Sequence, residues 1–129
     1  MILNNKLLRC LQKKDLKSSI MGLYNDYMTL PIDLLNKFKI LLLMHKYTHY
    51  KETLPLVSDN YFALNRSAYD HNTRNSNDFH LEASQSSFGL RSIRHIGPTL
   101  WNSLPITLKV DKNVNSFKEK LYNYFINAQ

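Results

Sequence analysis

Apolar residues in the first fourteen positions recur in helical register. Leu3, Leu7, Leu8 and Leu11 stand three or four apart with Lys6, Arg9, Lys13 and Lys14 among them, which predicts an amphipathic basic helix whose stripe needs a partner. Over residues 19–28, Ile20, Leu23, Tyr24 and Tyr27 share a face and predict a second, short helix. Pro31 suits the first turn of a third, because an N–H there has no intrahelical acceptor and the proline φ is already helical; Asp33 then lies near the positive end of the helix. From 32 to about 50, Leu34, Leu35, Phe38, Leu41, Leu42 and Met44 cover more than a narrow stripe, so this helix is expected at the centre of the core, stopping before Leu54-Pro55.

The pattern then changes. Residues 57–87 are rich in Ser, Asn and Asp without a sustained period, which reads as loop with at most one short strand. Partial alternation over 88–96 predicts a β stretch, with 79–81 as its hairpin partner. Pro98 is expected to open a short helix through Trp101 to Leu104, and Pro105 to close it. Ser116 and Glu119 have the spacing of a capping box, and Phe117, Leu121, Tyr124 and Phe125 share one face of a last helix. The expected fold is mainly α (α+β), with four or five helices and at most one small β-hairpin. It forms one segment, 1–129, made of a helical half (1–54), a loop-rich connector (55–87) and an end (88–129) holding the strand, the Trp helix and the C-terminal helix.

Composition adds that the chain should fold: 129 residues, 43% of them hydrophobic and 21% charged, lie far from the signature of disorder. The single Cys10 can form no internal disulfide, which points to an intracellular, nuclear or cytoplasmic setting; its place in an apolar helical stripe predicts burial rather than reactivity. The longest apolar run, residues 40–44, is too short to span a bilayer, so no membrane partner is expected. The net charge of +7 is uneven. Residues 1–50 carry eight Lys/Arg against three acids, 51–90 three against five, and 91–129 six against two, so both ends are basic and suit a polyanion.

Candidate chemistry is sparse. Gly22, Gly89 and Gly97 are too scattered to cradle a phosphate, no serine sits in a Gly-flanked elbow, and no catalytic residue, cofactor or small-molecule substrate is assigned. His45 and His49, four apart, could present both rings to one metal, but no third ligand has a defined spacing; they are read as packed or surface imidazoles, and no metal site is assigned. Trp101 is read as a core anchor. Arg74, with Arg91 and Arg94 flanking the predicted strand and Lys109 and Lys112 beyond it, would track phosphates while Tyr69 or Phe88 stacks bases. The competing reading is a solvated polar face with its aromatics in the core.

Four stretches occur in one order: Tyr69-Asp-His-Asn72-Thr73-Arg74-Asn75, Ser92-Ile-Arg94-His-Ile-Gly97-Pro98, Leu100-Trp101-Asn102-Ser103-Leu104-Pro105, and Ser116-Phe117-Lys118 with Leu121 and Tyr124. Together they resemble the C-terminal end of reverse transcriptases from non-LTR retrotransposons of the jockey and CR1 type. The resemblance is strongest from Tyr69 onward, and the Leu-Trp-Asn-Ser-Leu-Pro run beside a Gly-Pro is its most diagnostic part. It implies a tail lying after the palm and thumb of an RNA-directed DNA polymerase, docked on that body and presenting basic residues to RNA or DNA. The palm's metal-binding acids have no counterpart, since no Asp-Asp pair occurs and Tyr24-Asn25-Asp26 lacks the second acid. In this reading the chain is a non-catalytic fragment. The alternative is a structural protein–protein interaction module using Leu3, Leu7 and Leu11, without specific nucleic-acid binding.

Overall fold

The computed structural model describes residues 2–15, 17–27, 29–68 and 76–127. Its helices are α1 (Ile2–Gln12), α2 (Ile20–Asp26), α3 (Ile32–His49), α4 (Asn65–Ala68), α5 (Ser87–Leu90), α6 (Ile93–Asn102), α7 (Ile106–Lys109) and α8 (Val114–Asn127), with single 3-10 turns at Lys51–Thr53 and Leu56–Asn60. The protein is mainly α, and among the described residues no sheet forms. The chain divides into two compact units, residues 1–37 and 38–129, and α3 contributes to both.

In the first unit α1 packs on α2 through Leu8, Leu23 and Tyr24. The face of α1 that turns inward is partly polar. The Tyr24 hydroxyl donates to Asn5 Oδ1 at 2.6 Å and accepts from Asn4 Nδ2 at 2.9 Å, while Gln12 Nε2 donates to the Leu23 carbonyl at 2.8 Å. Leu3, Leu7 and Leu11 stay exposed, and so does Cys10, against the expectation that it would be buried. The sequence pattern shows an apolar stripe, but the side chains that reach Tyr24 and the α2 backbone belong to the neighbouring stripe. Helix α1 ends at Gln12, and Lys13 after it has a left-handed φ of 50°; the bonds Lys13 N–H to Cys10 O (3.2 Å) and Lys14 N–H to Arg9 O (3.0 Å) satisfy two of the last four carbonyls.

The second unit is built around the latter half of α3, where Leu41, Met44, His45 and Tyr47 are buried. Helix α8 presents Phe117, Leu121 and Phe125, spaced by four, to the interior. Its cap differs from the capping box expected. Asn113 Oδ1 accepts from the N–H groups of Asn115 (2.9 Å) and Ser116 (3.2 Å), so the helix starts at Val114. The Ser116 hydroxyl instead donates to Asp111 Oδ2 at 2.6 Å.

The hairpin between 79–81 and 88–96 does not form. Residues 87–90 and 93–102 are helical instead: Ser86 Oγ accepts the Gly89 N–H at 3.0 Å to start α5, and Ser92 opens α6. Ile93, Ile96, Gly97, Leu100, Trp101 and Leu104 recur at three and four, and that period prevails over the local alternation. Pro98 therefore lies inside α6 rather than at its start, where it removes the bond that an N–H at 98 would give the Arg94 carbonyl. Pro105 follows the end of α6 and also precedes the first residue of α7, its φ of −57° and ψ of 143° leading into that helix. Within the connector, Phe79 pairs with Leu64 in an isolated antiparallel bridge.

Candidate nucleic-acid interface

The residues of the Trp-Asn run are held inside the second unit. Trp101 is 3% exposed and packs edge-on to Phe79 at 6.5 Å between ring centroids. The bridge explains Asn102. With His80 N–H on the Ala63 carbonyl (2.8 Å) and Asn65 N–H on the Asp78 carbonyl (2.9 Å), the N–H and C=O of Phe79 point to the other side, where among the described residues no strand lies. Asn102 occupies that side. Its Oδ1 accepts the Phe79 N–H at 3.0 Å and its Nδ2 donates to the Phe79 carbonyl at 2.8 Å, so one side-chain amide replaces a neighbouring strand.

Lys109 belongs to the same arrangement. Its ammonium donates to the Asn102 carbonyl at 3.0 Å and pairs with Asp78 at 3.3 Å, with only 16% of the side chain exposed. An ammonium already satisfied in this way has little to offer a phosphate, so Lys109 is assigned to the fold rather than to the phosphate-binding set. Gly97 permits a close approach, because a Cβ there would sit 2.8 Å from Met44 Sδ and 3.2 Å from the Phe62 ring. Pro98 is buried beside it, and Leu104, Phe117 and Leu121 are further buried motif residues.

His45 and His49 are held by the chain itself. His45 Nε2 lies 2.7 Å from the Asp111 carbonyl and His49 Nε2 lies 2.9 Å from the Lys109 carbonyl; the Tyr50 hydroxyl donates to the Lys112 carbonyl at 2.8 Å. A carbonyl only accepts, so both Nε2 atoms carry hydrogen, and three side chains from one stretch clamp the link between α7 and α8. The His45 ring is fully buried, stacks on Phe117 at 4.2 Å, and leaves Nδ1 without a partner. Burial lowers its pKa from the ordinary 6.5, opposed by the Asp111 carbonyl. Among the described residues no group of three His, Cys, Asp or Glu side chains is placed to hold a metal.

Asp111 sits at the same link. Lys120 and Ser116 donate to its carboxylate, and they hold its pKa at about 2, below the ordinary 3.8.

A different environment surrounds the α5–α6 corner. Phe88 is 87% exposed, and Leu90, Arg91 and Arg94 are exposed around it. The Arg94 guanidinium lies over the Tyr61 ring, 4.8 Å from its centroid, an arrangement that orients the cation and leaves its N–H groups available. Tyr61 was not singled out from the sequence, where nothing links residue 61 to residue 94. Lys112 is exposed in the α7–α8 link and makes no ion pair among the described residues. Arg91 and Arg94 thus share a corner, Lys112 stands elsewhere, and Lys109 is internal. Tyr69, Asn72, Thr73 and Arg74 lie outside the described residues.

No known protein family, curated protein or solved structure matches the chain. Among the described residues no helix is long and apolar enough to cross a membrane.

Proposed function

We propose that this chain is a non-catalytic, helical nucleic-acid-binding segment that contacts single-stranded RNA or DNA through Phe88, Arg91 and Arg94. The observation that carries the reading is the exposure of Phe88. A phenylalanine ring left in water, with exposed arginines three and six residues further along the chain, has no use in the core, whereas it offers a π-face to a base while the guanidinium groups meet flanking phosphates. Arg94, oriented over Tyr61, adds a second aromatic and cationic pair at the same corner.

The ordered motifs favour, by resemblance alone, a segment that follows the polymerase domain of a non-LTR retrotransposon reverse transcriptase and works inside the cell. The engagement of Gly97, Trp101, Asn102 and Phe117 in one packed cluster supports the part of that reading in which the motif maintains the tail's shape and the chemistry resides elsewhere.

Fluorescence anisotropy of a labelled oligo-dT or oligo-U of about 20 nucleotides, titrated with the full chain at rising salt, tests the proposal. Binding that weakens steeply with salt, and that Arg91→Ala with Arg94→Ala lowers about tenfold, is the expected result. Affinity unchanged in that double variant would overturn the residue assignment.

A second reading, a protein–protein module, rests on α1, whose Ile2, Leu3, Leu7 and Leu11 remain exposed on a helix that also carries Lys6 and Arg9. Sedimentation over a wide concentration range distinguishes it: this reading requires self-association or a complex that Leu7→Asp abolishes, and leaves oligonucleotide binding at the level of any basic protein.

A further inference from the structure

Lys39, Lys46 and Lys118 border a groove of about 400 Å³ between α3 and α8, in the second unit and on residues not used by the corner described above. Its floor is aliphatic. Leu42 and Leu43 come from α3, Val114 from the first turn of α8 and Leu54 from the chain after α3, and all four are half-buried while the three lysines are exposed. Positions 39, 42, 43 and 46 share a face of α3 through their spacing of three, four and seven, and Val114 and Lys118 are one turn apart on α8. Among the described residues no acidic side chain lines the groove, and none of the three lysines has an ion-pair partner. Elsewhere in the unit lysines do find carboxylates, as Lys51 does on Asp59, Lys109 on Asp78 and Lys120 on Asp111.

We propose that this groove docks an acidic amphipathic peptide segment of a partner protein, whose aliphatic side chains fill the floor and whose Asp or Glu side chains meet Lys39, Lys46 and Lys118. The chemistry of the groove separates this occupant from a nucleic acid. A base needs a flat π-face or a guanidinium plane to stack on, and the floor offers only branched aliphatic side chains. Leucine and valine instead form depressions suited to aliphatic side chains placed at i, i+3, i+4 and i+7 on a partner helix. Ammonium groups around such a floor supply charge without the planar fork that arginine would bring to phosphate. The three unpaired positive charges favour a partner of opposite sign and raise its rate of encounter, an effect that salt weakens. Within α3 the lining follows from the 39-42-43-46 spacing, whereas the contribution of α8 depends on tertiary packing.

The test uses the full chain and a designed helical peptide of about four turns, with leucines on one face and glutamates flanking them. Isothermal titration and methyl chemical shifts should report saturable binding that moves Leu42, Leu43 and Val114, and Lys39→Glu with Lys46→Glu and Lys118→Glu should weaken it at least about tenfold. All three lysines are exposed, so far-UV circular dichroism should show these variants folded. A control peptide with lysine in place of glutamate should not bind, and Phe88→Ala should leave peptide affinity unchanged. No binding of the glutamate peptide, equal binding of the lysine peptide, or indifference to the charge reversals would overturn the proposal. Displacement of the peptide by oligo-dT, abolished by the same charge reversals, would also overturn it and assign the groove to the nucleic-acid surface. Because Phe88, Arg91 and Arg94 are untouched by these variants, failure here leaves the oligonucleotide result standing on its own.

Discussion

Trp101 and Phe88 are both large aromatics on short helical stretches beside cations, and they meet opposite fates. Around Trp101 most groups of chemical interest are consumed internally, the His45 Nδ1 excepted: Asn102 completes the backbone pairing of Phe79, Lys109 is held by Asp78 and the Asn102 carbonyl, and His45 and His49 hold the α7–α8 link. Around Phe88 the ring is in water, Arg91 is exposed, and Arg94 is oriented by Tyr61 without being neutralised. Residue type therefore does not distinguish a structural position from a binding position in this protein. What distinguishes them is whether the fold already supplies the partner. A buried polar group without a partner destabilises by about 1–3 kcal/mol, so the interior selects for matched groups, while an exposed ring or guanidinium has no such constraint and stays available.

The largest effect expected from this contrast is on stability. Asn102→Ala leaves both the N–H and the C=O of the buried Phe79 unsatisfied, and should lower the unfolding free energy by about 2–4 kcal/mol in urea titrations while leaving any oligonucleotide affinity of the folded fraction intact. A loss well under 1 kcal/mol would mean that the amide is not the surrogate strand described. Phe88→Ala should act in the reverse sense, reducing oligonucleotide affinity about tenfold with stability changed by less than about 0.5 kcal/mol. A destabilised variant with normal affinity would place Phe88 in the core instead.

Lys109→Gln and Arg91→Gln sharpen the comparison between two cations. The first should cost about 1 kcal/mol of stability and leave affinity unchanged, because its ammonium serves Asp78 and Asn102; the second should lower affinity and the salt slope and leave stability unchanged. Equal effects of the two on binding would erase the distinction.

Acidification should produce the smallest effect, through His45. Its folded pKa lies below the unfolded 6.5, so the unfolded chain binds more protons once the pH falls through about 6.5. The stability it contributes is complete above that value and declines below it until the folded pKa is reached. Urea midpoints should therefore fall from about pH 7.5 to about pH 5.5, and His45→Gln should flatten that dependence. Asp111 is also shifted downward, to about 2 from 3.8, but by the donors Lys120 and Ser116 rather than by burial, so its contribution is complete above 3.8 and disappears only as the pH falls towards 2. A profile unaffected by His45→Gln would place the titrating group elsewhere.

Much of the helical framework could be read from residue spacing alone. The periodicity of α1, α3 and α8 survives in the structure, and Trp101 is the core anchor that its surroundings implied. Two kinds of information were hidden. At 88–96 a local alternation suggested a strand, but the three-and-four recurrence that decides the structure runs from Ile93 to Leu104 and crosses Gly97-Pro98, which reads as a break in one dimension. The roles of Asn102, Lys109, His45 and Tyr61 depend on partners at Phe79, Asp78, Asp111 and Arg94, and no local pattern encodes those pairings. Cys10 and Leu7 show the converse: an apolar stripe is visible in the sequence, while the face that meets α2 combines Leu8 with Asn5, whose Oδ1 accepts from the Tyr24 hydroxyl.

The most direct test is amide chemical-shift mapping of the full chain titrated with oligo-dT at low salt. The account predicts shifts concentrated at residues 86–94 and at Tyr61, with residues 102–112 quiet. Shifts centred on 102–112, or none at saturating oligonucleotide, would contradict it.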